Sequence, residues 1–298
     1  MNFVKTNSIQ IAYDSFGRET DEAVLLISGL GTQMIRWTDS FCGKLSERGY
    51  RVIRFDNRDA GCSTHLSQYS PPDFSGLVAV LMAGRRPDVP YTLYDMAADA
   101  VGLLDELSIR RAHIVGRSMG GMIAQIIASE KAERVLSLTS IMSSTGNPAL
   151  PQAAPDVMAM MMRPAPDPAS DMEGFVLHAL AFARRIAGAE DLFDEKAHRA
   201  IIIEELKRSY DPGGTARQIA AIAVTGDRRS QLAAIKVPTL VVHGSNDPLI
   251  LPACGRDTAA SIHNAECMLI DGMGHDLPLA LHEKIIEAID RTARRASA

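Results

Sequence analysis

The sequence predicts an α/β fold with a mostly parallel central sheet flanked by helices. Short runs rich in Val and Ile alternate with segments of helical periodicity, which is the pattern of a parallel sheet covered on both faces. One long stretch without strand pattern interrupts this alternation and predicts an inserted helical cap. With 298 residues and a 46% hydrophobic composition, the chain can bury one large core.

Six apolar runs are the predicted parallel strands: 24–28, 52–56, 112–116, 135–142, 239–244 and 266–271. Two shorter runs near the start, 3–6 and 9–14, predict an antiparallel hairpin at the edge of the sheet. Between the second and third strands, apolar residues at helical spacing predict a crossover helix over 93–107. Its acidic residues Asp95, Asp99 and Asp105 are expected to face solvent.

The predicted cap covers residues 145–230, so that 1–144 and 231–298 form the α/β core. Six of the 15 prolines fall within 148–168, which marks the change of pattern. Helices are expected near 154–162, 171–187, 194–208 and 214–224. Methionine is flexible and fills irregular apolar spaces, so Met158 and Met161 are candidates to line a substrate pocket, with ordinary core packing as the alternative.

Charge and cysteine content limit the partners. A net charge of −5 argues against nucleic acids and anionic membranes, which attract basic surfaces. The four cysteines are widely spaced, which predicts reduced thiols. Residues 1–23 contain no apolar targeting region, and no run is long enough to span a membrane, so we expect a cytoplasmic protein. The histidines show no zinc-ligand spacing, so neither metal nor cofactor is expected.

The candidate nucleophile is Ser118. An apolar strand runs into Gly116-Arg117-Ser118-Met119-Gly120 and continues directly as a helix. This strand-to-helix context makes GxSxG more than a chance match, because the sharp turn holds the serine exposed at its apex and leaves no room for side chains at the two glycine positions. Amides at the start of the helix favour developing negative charge beside it.

A serine hydroxyl needs a base and an orienting carboxylate to act as a nucleophile. Asp247 follows the apolar strand 239–244, and His275 follows the strand 266–271. The order Ser, Asp, His places three side chains at strand ends on one rim of a parallel sheet, where ligand sites form. We therefore predict a Ser118–His275–Asp247 triad.

Alternatives exist for two members of this triad. His243 is near Asp247 in sequence but ends a buried strand, so a structural role is favoured over that of base. Asp271 and Asp276 flank His275, although a separate strand end gives Asp247 better reach as the orienting group.

The candidate oxyanion hole follows the strand 24–28. The sequence Ser28-Gly29-Leu30-Gly31 can bring backbone amides close to a reacting carbonyl, and the Leu30 and Met119 amides are the predicted donors. Gly29 is expected to contact substrate. Trp37, the only tryptophan, either walls the acyl pocket or packs in the core. The charged turn 54–63 is expected to brace loops beneath the site by ion pairs.

These motifs together resemble the α/β-hydrolase superfamily of serine carboxylesterases. The resemblance rests on SGLG at 28–31, FDNRDAGCS at 55–63, GRSMGG at 116–121, HGSNDP at 243–248 and GMGH at 272–275. Within the superfamily the chain is most similar to capped hydrolases of the aclacinomycin methylesterase type, which remove a methyl group from a polyketide ester. One departure is Ser28, where many relatives carry His, and this puts the usual bracing of the oxyanion loop in question.

The resemblance implies a carboxylesterase that acts through an acyl-enzyme on small to medium apolar esters. It would make Ser118 the nucleophile, Asp247 the acid, His275 the base and the Leu30 and Met119 amides the oxyanion donors. An acyltransferase and a carbon–carbon bond hydrolase share the same triad and remain alternatives. A homodimer is also open, because caps of this kind often associate.

Overall fold

A computed structural model describes residues 1–296, apart from the side chain of Phe74; the last two residues of the 231–298 core segment lie outside the described residues. The sheet has eight strands in the order β1-β2-β4-β3-β5-β6-β7-β8. The strands are β1 (Asn2–Thr6), β2 (Ile9–Phe16), β3 (Glu22–Ile27), β4 (Tyr50–Phe55), β5 (Ala112–Arg117), β6 (Val135–Ile141), β7 (Thr239–Gly244) and β8 (Glu266–Ile270). β2 pairs antiparallel with β1 and β4, and the other pairs are parallel. The predicted sheet and its edge hairpin are confirmed.

Helices cover both faces of the sheet. They are α1 (Asp39–Glu47), α2 (Phe74–Met82), α3 (Leu93–Glu106), α4 (Met119–Glu130), α5 (Pro155–Met162), α6 (Met172–Ile186), α7 (Glu195–Arg208), α8 (Pro212–Thr225), α9 (Arg229–Leu232), α10 (Pro252–Ser261) and α11 (His282–Arg294). α3 and α4 pack on one face, where Leu103 and Ile123 join its buried cluster, and α1 and α11 pack on the other through Phe41 and Ile286. None of the described helices is both long and apolar enough to cross a membrane.

Between β6 and β7 the chain forms five helices, α5 to α9, and the first four of them, α5 to α8, lie in the stretch that the sequence predicts as a cap. The bounds of these helices agree with the predicted ones to within two residues. Three ion pairs join α7 and α8 to core loops: Arg36–Glu205 at 2.7 Å, Arg208–Asp56 at 2.8 Å and Arg217–Asp59 at 2.7 Å. Helices α7 and α8 therefore pack against the segments that follow the carboxyl ends of β3 and β4.

The prediction that Asp99 faces solvent is wrong. Its carboxylate is buried and accepts two hydrogen bonds from the Arg58 guanidinium, at 2.6 and 2.7 Å, and one from Asn7 at 2.8 Å. A carboxylate can be buried when a guanidinium matches both of its oxygens. Helical periodicity could not show this partner, because Arg58 comes from the turn after β4.

Candidate active site

Ser118 occupies a strained turn between β5 and α4. Its φ of 54° and ψ of −124° are rare for a residue with a side chain, and they direct the backbone from the strand abruptly into the helix. A Cβ on Gly120 would lie 2.6 Å from the Ser28 carbonyl oxygen, and one on Gly116 would lie 2.7 Å from the Gly121 nitrogen. Both glycines are therefore needed for space, and the Ser118 side chain is left partly exposed.

Ser118, His275 and Asp247 form one chain of hydrogen bonds. The Ser118 hydroxyl lies 3.0 Å from His275 Nε2, and His275 Nδ1 lies 2.7 Å from Asp247 Oδ2. β5, β7 and β8 bring these residues to the same rim, since each of the three follows the carboxyl end of its strand. The structure thus brings together the three residues that the sequence predicts as a triad.

The surroundings of Asp247 keep it ionised. Its Oδ1 accepts the Leu249 and Ile250 amides, each at 2.9 Å. Although burial opposes ionisation, interaction with His275 and His243 lowers the pKa of Asp247 to about 2. An ionised carboxylate can only accept hydrogen bonds, so the proton of a neutral His275 lies on Nδ1 and Nε2 presents its lone pair to Ser118.

The alternative triad members are bonded differently, although His243 Nε2 also lies 3.5 Å from Asp247 Oδ2. His243 is fully buried and its Nε2 is 2.7 Å from the Ile250 carbonyl oxygen, so it supports the loop that carries Asp247. Asp271 is exposed and accepts from the Ser245 hydroxyl. Asp276 is buried, and within residues 1–296 its two oxygens have no hydrogen-bond partner; burial raises the pKa of Asp276 to about 6.

Gly29 lies directly against the nucleophile. A Cβ on Gly29 would be 3.2 Å from the Ser118 Cβ, so the loop after β3 approaches the serine closely. Leu30 follows in this loop, and Met119 is the first residue of α4. Across the described chain, neither the Leu30 nor the Met119 amide takes part in a turn or loop hydrogen bond. The two predicted oxyanion donors thus belong to segments that meet at Ser118, and their role stays a prediction.

The loop after β3, which is the predicted oxyanion loop, is braced without a histidine at position 28. The Ser28 hydroxyl is buried and has no partner among the described residues, while the Ser28 carbonyl accepts from Asn57 at 3.0 Å. Gln218 of α8 accepts the Gly31 amide at 2.8 Å and donates to the Arg58 carbonyl at 2.8 Å. The turn after β4 and the cap therefore hold this loop together.

The predicted pocket residues lie in different surroundings. Trp37 is fully buried, with its ring 5.2 Å from that of Phe41, so the core-packing alternative describes its position. Met158 is exposed and Met161 is half-buried on α5. Met160 lines a cavity of about 540 Å³ between α5 and α6, together with Arg163, Pro164, Leu177, His178 and Phe182 among others.

One group of potential metal ligands occurs among the described residues. Oxygen and nitrogen atoms of Asp59, His65 and Asp211 lie within 4.8 Å of one another. Both Asp59 oxygens already accept hydrogen bonds from Arg217, and Asp59 Oδ2 also accepts from Tyr91, so the group is an ion-pair network that joins the cap to the turn after β4. Sequence reasoning anticipated the bracing role of this turn but had no motif for its partners in the cap.

Known proteins that are similar to this chain share its fold. A family model for the alpha/beta hydrolase fold matches residues 22–190. Rhodomycin D methylesterase of Streptomyces peucetius is 28% identical, covering 99% of this chain and 98% of that protein, and 3-oxoadipate enol-lactonase 1 of Acinetobacter baylyi is 27% identical, covering 82% and 77%. The enol-lactonase of Burkholderia xenovorans has a similar structure, with a TM-score of 0.72 at 23% identity over the whole of both chains. Since the family model spans more than half of the chain, this protein belongs to the α/β-hydrolase family, as its motifs predict.

Proposed function

We propose that this protein is a serine carboxylesterase that hydrolyses small to medium apolar esters. The observation that carries the proposal is the continuous hydrogen-bond chain from Ser118 through His275 to Asp247. Ester hydrolysis as such is supported by relatives that are named methylesterase and enol-lactonase. The four cysteines are free thiols, which suits a reducing compartment such as the cytoplasm.

The first half-reaction forms an acyl-enzyme. His275 Nε2 takes the Ser118 proton as the serine oxygen attacks the ester carbonyl carbon, and the Leu30 and Met119 amides donate to the resulting oxyanion. Asp247 stabilises the imidazolium. His275 then gives its proton to the departing alkoxide, so that the carbon–oxygen bond of the ester breaks and the alcohol leaves.

The second half-reaction returns the enzyme to its starting state. His275 takes a proton from water, and the hydroxide attacks the acyl-enzyme carbonyl carbon. Collapse of this second oxyanion breaks the bond to Ser118, which recovers its proton from His275. The carboxylic acid is released. An alcohol in place of water would give acyl transfer by the same steps.

Steady-state hydrolysis of p-nitrophenyl esters from acetate to dodecanoate tests the proposal, with wild type beside Ser118→Ala and an alcohol acceptor in a parallel series. We expect hydrolysis that the substitution abolishes. Because the triad acts as a unit, the double variant Ser118→Ala/His275→Ala should be little worse than either single one. Activity that survives Ser118→Ala would overturn the proposal. A rate that depends on the acceptor would indicate an acyltransferase.

A further inference from the structure

The end of α6 lies directly against the loop that carries His275. We name residues 186–189 the cap strap and residues 272–276 the histidine loop. The Ile186 carbonyl accepts a hydrogen bond from the His275 amide at 2.7 Å. Three residues later the Ala189 amide donates to the Gly272 carbonyl, also at 2.7 Å. The backbone of the catalytic histidine itself is therefore bonded to the cap.

Glycines allow this approach on both sides. A Cβ on Gly188 would lie 2.7 Å from the Met273 carbonyl carbon and would meet the Gly272 oxygen and the Gly274 nitrogen at still shorter range. A Cβ on Gly274 would in turn overlap the Ile186 oxygen and the Gly188 nitrogen. All of these neighbours are backbone atoms, which cannot move aside as a flexible side chain can. Gly188 and Gly274 have no positive φ, so space alone requires a glycine at these two positions.

The core holds the histidine loop at Gly272 and Met273: the Ser245 hydroxyl accepts the Gly272 amide at 3.0 Å, and the Asn246 amide donates to the Met273 carbonyl at 3.0 Å. The bond at the His275 amide comes from the cap strap, beyond these two anchors of the loop. Two of its five residues are glycines, and Gly272 adopts a φ of 73°. Yet His275 has to satisfy two short contacts at once, 2.7 Å to Asp247 and 3.0 Å to Ser118. A displacement of about 1 Å in a catalytic side chain can lower the reaction rate by on the order of 100-fold.

We propose that the cap strap is a positioning element for the catalytic histidine, with Gly188 as its key residue. It holds the histidine loop in the position where Nε2 of His275 reaches Ser118 while Nδ1 reaches Asp247. This inference rests on the proposed function. The strap bonds only backbone atoms of the loop, so it acts on the reaction through His275 and does not touch the reacting atoms.

The test is the substitution Gly188→Ala, measured as kcat and KM for p-nitrophenyl acetate. We expect kcat to fall by about 30-fold or more while KM stays within about threefold, since the added Cβ displaces the histidine loop and leaves the substrate contacts in place. The matched control is Gly43→Ala in α1, where a Cβ would meet no atom within 4 Å. This control should keep the wild-type kcat.

A second variant keeps the test decisive if Gly188→Ala does not fold. Ala189→Pro removes the amide that donates to Gly272, and the φ of −62° at Ala189 suits proline. The proline ring Cδ takes the place of the amide hydrogen and meets the Gly272 carbonyl oxygen, which lies 2.7 Å from the Ala189 nitrogen, so this variant also displaces the histidine loop. We expect kcat to fall by about 10-fold or more, again with little change in KM. Circular dichroism and size-exclusion chromatography establish that each variant is folded.

The outcomes separate the two proposals. If wild type and Ser118→Ala hydrolyse the ester equally, the proposed function fails, and the role of the strap fails with it. If wild type depends on Ser118 but folded Gly188→Ala keeps more than half of the kcat, or loses only affinity as a higher KM, the strap proposal alone is overturned. With Gly188→Ala unfolded, an unchanged kcat in Ala189→Pro overturns it.

Discussion

Substituting Asp247 by asparagine should place the proton of His275 on the wrong nitrogen. In the native site, Oδ1 of Asp247 accepts two amides at 2.9 Å, and Oδ2 faces His275 at 2.7 Å. In Asp247→Asn the side-chain carbonyl keeps the two amides, because only an acceptor can satisfy them. The new NH2 then faces His275 Nδ1, which must become the acceptor, and the proton on Nε2 prevents it from activating Ser118.

The same contacts set the magnitude. Turning the asparagine to restore the native tautomer would leave two amide donors unsatisfied, at about 1–3 kcal/mol each. The reactive arrangement is thus disfavoured by about 2–6 kcal/mol, and at about 1.4 kcal/mol per tenfold change this predicts a loss in kcat of about 30-fold to 10⁴-fold.

The assay is kcat for p-nitrophenyl acetate at pH 7 in wild type, Asp247→Asn and the matched control Asp271→Asn. The control changes an exposed carboxylate in the residue that directly precedes the histidine loop, and it should keep wild-type activity within about twofold. A loss of less than threefold in Asp247→Asn, or an equal loss in the control, would refute the assignment of Asp247 as the orienting acid.

Three further substitutions test other parts of the account. Gln218→Ala removes the acceptor of the Gly31 amide and should lower kcat by about 10-fold, because the oxyanion loop loses its brace to the cap. Asp276→Asn should stabilise the protein at high pH, because burial raises the pKa of the Asp276 carboxyl from 3.8 to about 6. The stability that the protonated carboxyl contributes is present below about pH 4 and is lost as the pH rises through 6. The resulting difference in the free energy of unfolding is about 3 kcal/mol. Arg217→Met leaves the buried Asp59 carboxylate uncompensated and should cost about 3–5 kcal/mol in the free energy of unfolding, measured with urea.

Each of these has a contrary result. Wild-type kcat in Gln218→Ala would show that the Asn57 contact alone braces the loop. If the unfolding free energies of wild type and Asp276→Asn differ by the same amount at pH 4 and pH 8, the carboxyl does not titrate as its burial requires. Arg229→Met breaks a more exposed ion pair with Asp227 and should cost less than about 1 kcal/mol, so an equal cost for Arg217→Met would contradict the buried network.

Features with a local sequence pattern could be predicted. These are the strands, the helices between β6 and β7, and the three residues of the hydrogen-bond chain. Apolar runs end in glycine-rich turns, and Ser118, Asp247 and His275 each follow such a run. Parallel strands then bring those ends to one rim. Physical constraints on the backbone are sufficient for this much of the site.

Contacts between segments distant in sequence could not be predicted, because they depend on how those segments pack. Arg58 covers Asp99 from a turn 41 residues away, which no helical periodicity records. Gln218 and Gly188 have no motif of their own, and their importance appears only where α8 meets the oxyanion loop and where α6 ends against the histidine loop. Position in a helix or strand follows from local sequence, whereas the partner across an interface does not.

The central claim is that Ser118 is the nucleophile of an acyl-enzyme, and reaction with a fluorophosphonate tests it most directly. The wild-type protein is treated with the reagent, residual p-nitrophenyl acetate hydrolysis is followed, and the modified peptide is located by mass spectrometry. We expect one adduct per chain, on Ser118, formed in parallel with the loss of activity and absent in Ser118→Ala. An adduct on another residue, or full activity after stoichiometric modification of Ser118, would contradict it.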